Sequence, residues 1–173
     1  MNNLLRYFLI TAFIGLHVSC DQVSKHVVRE NLTHQSVQVI PDHFRLIKVQ
    51  NKGAFLGSLK HLPDPFHTLL LKILPLLVVF IAIFWLLKTN DMPAIKSVSL
   101  IAILGGGLGN LIDRIWLGSV TDFMQIKLFG WHTGIFNMAD VSISVGFLVL
   151  VGHELSILVN GISKPSSQDE QHS

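Results

Sequence analysis

Two aspartates, Asp122 in GSVTDFMQI and Asp140 in IFNMADVSI, stand 18 positions apart in a chain of 173 residues, half of them hydrophobic. Carboxylates are costly in apolar surroundings, and two held close together there cannot both ionise cheaply. One keeps its proton near neutral pH while the other stays charged, which sets an acid beside a base. In peptide hydrolysis the charged member takes a proton from a water molecule. The protonated member polarises the scissile carbonyl and then supplies the leaving amine. Alone, Asp122 reads as a solvated loop charge. Its pairing with Asp140 requires a connection whose ends meet on neighbouring helices.

Further polar residues gather at the same level of the chain's apolar segments. Asp21 and Lys25 lie one helical turn apart and can pair at i, i+4, although such a pair alone is an ordinary interfacial anchor. In GGGLGNLIDRI, Asn110 and Arg114 share a helix face and Asp113 points elsewhere. Asn137 and Asp140, three apart, share the first turn of the next segment. Other chemistries find less support. No GxSxG motif is present, and Cys20, the single cysteine, has no base partner in the pattern and can form no internal disulfide. The nine histidines show neither CxxC nor HExxH spacing, so neither a metal nor another cofactor is expected. A net charge of +2 without a basic run excludes nucleic acid as a partner.

The elements that must carry these residues are membrane helices. A bilayer core of about 30 Å takes about 20 apolar helical residues, and four segments approach that: 4–20, 66–87, 97–112 and 141–159. The first resembles a lipoprotein signal peptide ending before Cys20. His17 stands three positions before the cysteine where a small or branched apolar residue belongs, and long apolar segments follow, so it is expected to be an uncleaved span. The second carries Pro75, tolerable where neighbouring helices cover the freed carbonyl. Gly105, Gly106, Gly107 and Gly109 in the third suit close helix packing. His153 and Glu154 put charge in the fourth, bearable only near an interface.

Residues 30–62 contain VQVI and FRLIKVQN around Pro41 and Asp42, which predicts a small extramembrane antiparallel sheet. The short KTNDMPAIK link makes the second and third spans antiparallel neighbours. Residues 114–136 return to the fourth span on the sheet's side, and the polar tail 161–173 is expected to be disordered. The fold class is therefore a mostly α integral membrane protein with four transmembrane helices and a small antiparallel β-sheet. Charge counting leaves its orientation open. The N-terminal side holds Arg6, Lys88, Lys96 and Lys164, against Lys25, Arg29, Arg45, Lys48, Lys52, Lys60, Arg114 and Lys127 opposite, the reverse of a cytoplasmic N-terminus. Two rival readings remain. A charged interfacial ring could merely orient the helices, and a transporter could relay protons through the aspartates, though a relay needs carboxylates spread through the membrane.

Five stretches in order, DQVSK at 21–25, NKGAFLG at 51–57, GGGLGNLIDR at 105–114, VTDF at 120–123 and FNMAD at 136–140, resemble the bacterial lipoprotein signal peptidase family (signal peptidase II, prolipoprotein signal peptidase). The resemblance implies a single membrane-embedded peptidase domain over 1–173, with a periplasmic sheet and both termini cytoplasmic. It implies an aspartyl endopeptidase of the bacterial inner membrane, active at the periplasmic face without a cofactor. Its substrate would be a diacylglyceryl-prolipoprotein among membrane lipids, cut just before the lipidated cysteine, and four spans suffice for a monomer. The family's catalytic aspartates fall on Asp122 and Asp140. Asn51, Asn110, Arg114 and Asn137 match positions that line the site or orient the dyad, and Asp21, Lys25 and Gly53 match supporting positions. The departures are Phe55 and Leu56, Gly107 for the usual alanine, and Thr121 for the usual valine.

Overall fold

The computed structural model describes residues 2–32, 36–53 and 63–162. Helix α1 spans Asn3–Asn31, its N-terminus capped by Asn2, whose side chain accepts from the Leu4 N–H at 3.1 Å. It runs eleven residues beyond the expected end of the first span at residue 20, about 16 Å at the helical rise. The extension is sustained by partners rather than by lipid. Its Asp21, Lys25 and Val28 are buried, with Lys25 against Asn110 and Asp113 of the third span.

The second span is one continuous rod of three parts: α2 (Asp64–Thr68), a π-helical turn (Leu69–Ile73) and α3 (Leu74–Lys88). Pro75 cannot donate to the carbonyl one turn back, and the π turn just ahead of it absorbs the break, with Leu74 donating to the Leu69 carbonyl. Helix α4 (Ala94–Trp116) is central, packing against α1, α3 and α5 (Met138–Ile162). Ile10 and Ile14 of α1, Val79 and Leu86 of α3, and Ile101 and Leu104 of α4 form the apolar core. Outward faces remain apolar: Leu16, Phe80, Leu148 and Leu158 are each at least 60% exposed. So broad an apolar girdle belongs in lipid. All four rods are long and apolar enough to cross a membrane.

Close approach around α4 depends on its glycines, as their spacing predicts. A methyl group on Gly106 would strike the Ala139 carbonyl oxygen of α5, and one on Gly109 would stand 2.5 Å from Asp21 Oδ2. Gly107 is different. Among the described residues it meets nothing nearer than Val79 at 3.5 Å, and it borders the cavity described below.

The sheet is larger than expected. The predicted pair forms as β1 (Val37–Ile40) and β2 (Phe44–Asn51), but residues 114–136 add β3 (Val120–Leu128) and β4 (Trp131–His132), giving an antiparallel order β1-β2-β3-β4. Strand β3 escapes an alternation test because its first four residues are all buried, wedged between β2 and the helices. Between Leu46↔Met124 and Val49↔Asp122 the register slips by one residue, a bulge in β2 that re-aims Asn51 toward Asp122. Helix α5 continues through residues 161 and 162 of the expected tail. The remainder of that tail, with Phe55, Leu56 and Lys60, lies outside the described residues.

Candidate active site

Asp122 is the third residue of β3, on the strand face that turns toward α4 and α5, and it is 4% exposed. Asp140 lies in the first turn of α5. That turn closes through a reciprocal cap. The Asp140 N–H donates to Asn137 Oδ1 at 3.0 Å, and the Asn137 N–H donates back to Asp140 Oδ2 at 3.2 Å.

Two amides link the carboxylates. Asn137 Nδ2 donates to Asp122 Oδ1 at 2.7 Å and to Asn110 Oδ1 at 3.0 Å, and Asn110 Nδ2 donates to Asp140 Oδ1 at 2.8 Å. Asn51 Nδ2 completes the shell of Asp122 with a bond to Oδ2 at 2.9 Å. The Gly53 N–H holds the other end of the Asn51 amide at 3.0 Å, which decides the way that side chain faces. Arg114 reaches toward the carbonyls of Asn110 and Gly53 over long contacts of 3.4 and 3.5 Å. All these groups except Asn137 and Gly53 line one cavity of about 510 Å³, closed on its apolar side by Pro75, Phe136 and Ile143. That volume lies within the range of ligand pockets.

Burial lifts Asp122 above the ordinary carboxylate value of 3.8. The amides of Asn51 and Asn137 favour its charged form and pull it back, while the charge of Asp140 raises it further. Among the described residues no group of three or more His, Cys, Asp or Glu side chains could hold a metal ion.

Beneath the two aspartates lies a second polar layer. Lys25 Nζ stands 2.7 Å from Asp21 Oδ2 and 3.6 Å from Asp113 Oδ2, and it donates to Asn110 Oδ1 at 2.9 Å. Asp21 and Lys25 are wholly buried, so this pair is no interfacial anchor. Asp21 also accepts the backbone N–H of Ala139 at 2.9 Å, fixing the start of α5. Asp113 accepts the Thr121 N–H at 2.9 Å, fixing the strand next to Asp122. Sequence reasoning passed over Asp113 and Gln22, which donates to Asp21, Asp113 and the Gly109 carbonyl. The signal was available. Asp21, Lys25 and Arg29 recur every four residues on one face of α1, two cations to one acid, and Asp113 supplies the missing charge.

Fold and site together define a class, a polytopic membrane protein with two amide-linked carboxylates on one cavity at the sheet-side ends of its helices. Comparison with known proteins gives the family. The family model described as signal peptidase (SPase) II matches residues 13–156. A lipoprotein signal peptidase of Sulfurihydrogenibium is 33% identical, covering 84% of this chain and 92% of its own. That of Hydrogenovibrio crunogenus is 30% identical, covering 100% of this chain and 97% of its own. A bacterial membrane enzyme solved by the in meso method at 2.3 Å superposes with a TM-score of 0.78 at 26% identity, covering 91% of this chain and 94% of that one. The chain belongs to the signal peptidase II family.

Proposed function

We propose that the chain is a lipoprotein signal peptidase, removing the signal peptide from diacylglyceryl-modified prolipoproteins by cutting just before the lipidated cysteine. The observation that carries this reading is the pair of amide-linked carboxylates on one cavity at the sheet-side ends of four apolar rods. Burial pushes the Asp122 carboxyl up and so favours its protonated form, and we assign it the acid that polarises the scissile carbonyl and later serves the leaving amine. Asp140, in the first turn of α5 and on the same cavity, takes the proton from water. Asn51 and Asn137 aim Asp122, Asn110 and Asn137 aim Asp140, and Arg114 faces the cavity to receive substrate carbonyls.

The site's depth fits the substrate. Each buried methylene of an acyl chain is worth about 0.8 kcal/mol, so a diacylated cysteine stays at the bilayer and must be cut there. We read the enzyme as a monomer of the bacterial inner membrane with cytoplasmic termini and a periplasmic cavity; the family resemblance supports the membrane and the orientation, and four spans suffice for a monomer.

Incubating the purified enzyme with lipidated and unlipidated precursor and reading the gel shift tests class and substrate together. Only the lipidated form is expected to be cut. Asp122→Asn and Asp140→Asn should each lose at least about 10²-fold in rate, the usual contribution of a positioned acid or base. Normal processing by either variant would sink the assignment.

A further inference from the structure

His17 is unused by this mechanism, yet it is a titratable side chain in the middle of a membrane helix, where such groups are costly and need a partner. Its partner is Ser142 of α5. His17 Nδ1 and Ser142 Oγ lie 3.1 Å apart, a hydrogen bond whose donor depends on the imidazole tautomer. Four residues further along the same face of α1, Asp21 accepts the Ala139 N–H. Helix α1 therefore grips the first turns of α5 at two points about 6 Å apart along its axis, and Asp140 lies between Ala139 and Ser142 in sequence.

The surroundings leave little slack. A methyl group on Gly105 would stand 2.5 Å from His17 Cβ, and one on Gly106 would stand 3.2 Å from Ser142 Cβ, so α1, α4 and α5 meet at this junction. Asn110 and Asn137 hold the Asp140 carboxylate itself, and Asp21 holds the helix start one residue before it. The His17 contact adds a grip on α5 on the far side of Asp140, which limits rotation of the helix that carries the carboxylate. A reacting group misplaced by about 1 Å can cost about 10²-fold in rate.

We infer that His17, through Ser142, is a positioning residue that orients Asp140 for catalysis. The inference rests on the peptidase reading above, and it assigns His17 no contact with substrate. Interhelical hydrogen bonds in membranes are modest, because the groups find other partners when the bond is lost. The expected loss is correspondingly about threefold to tenfold in kcat.

The test measures kcat and KM on lipidated precursor in micelles, normalised to folded enzyme, with Asp140→Asn as the inactive reference. His17→Leu and Ser142→Ala should each lower kcat about threefold to tenfold with KM unchanged. The double variant should be no worse than either single one, because both remove the same bond. His17→Asn, whose amide can occupy the place of Nδ1, should recover most of the rate. Unchanged kcat per folded molecule, a loss confined to KM or to melting temperature, or losses that multiply in the double variant would each overturn the inference. Wild-type enzyme that fails to cut the precursor would instead overturn the peptidase reading.

Discussion

The two ends of the helical bundle both carry charge, and they spend it differently. At the sheet end, Asp21, Lys25, Asn110, Asp113, Asp122 and Asn137 are buried together, and their bonds run from side chain to side chain across α1, α4, β3 and α5. At the opposite end Arg6 is nearly as buried, but its guanidinium closes the carbonyls of Leu86, Leu87 and Thr89 at the end of α3 and takes the Asn90 side chain. One is a network of ionisable groups that ends on a cavity; the other is a helix cap that ends on itself. Charge inside a membrane protein therefore signals function by what it terminates on, more than by its depth alone.

The contrast breaks most visibly at Lys25. Lys25→Met keeps the aliphatic bulk and removes the cation, leaving Asp21 and Asp113 buried beside each other with Gln22 and, on Asp113, Arg29 as their side-chain donors among the described residues. Uncompensated buried charge of this kind costs about 3–5 kcal/mol. Thermal unfolding in micelles should show that loss, and an unchanged melting temperature would mean that the buried pair is already neutral. Arg6→Leu is the matching change at the other end. It strips donors from the last carbonyls of α3 near an interface where water can replace some of them, an expected cost of about 1–3 kcal/mol. Activity should follow the folded fraction in Arg6→Leu and fall below it in Lys25→Met, because Lys25, unlike Arg6, bonds Asn110, which in turn donates to Asp140.

How much of this was legible in the sequence follows the same contrast. The four spans, the packing role of Gly106 and Gly109, and the first hairpin were readable because apolar length, small residues and alternation are local signals. Of the candidate site residues, all but Arg114, whose contacts are backbone carbonyls, bond a named side chain at the sheet end. What was missed is non-local. The extra eleven residues of α1 exist because Asp113 and Thr121, about 90 positions away, accept its charged face. Strand β3 is all-buried at its start for the same reason, and no pattern within nine residues could show it.

A smaller effect separates the chemistry from the scaffold around it. Because burial lifts Asp122 above 3.8, the folded protein holds a proton that the unfolded chain releases at lower pH. The stability linked to that proton is complete below the unfolded value and is lost as pH rises through the higher folded one. Asp122→Asn cannot ionise and escapes this loss. Its melting temperature relative to wild type should therefore climb as pH increases from about 4 toward neutrality, whatever offset the altered bonds to Asn51 and Asn137 introduce. A difference that stays flat with pH would show Asp122 ionised throughout, and would pass the acid's part in the proposed mechanism to Asp140.

The smallest effect belongs to Glu154, an acid the apolar pattern of α5 does not anticipate. Its Oε1 stands 2.6 Å from Lys96 Nζ in the first turn of α4, and the two side chains are 50% and 29% exposed. On the adjoining residue, His153 Nε2 finds no partner among the described residues, so this patch lacks the mutual satisfaction of the sheet end. An ion pair open to water contributes about 0–1 kcal/mol and weakens with salt. Glu154→Gln should thus shift the melting temperature little, and less still in high salt. A loss of several kcal/mol would instead place the pair inside the hydrocarbon layer, where removing one partner strands the other. The far end of the bundle would then bury charge as deeply as the sheet end does, and termination on a cavity would be the one difference left between them.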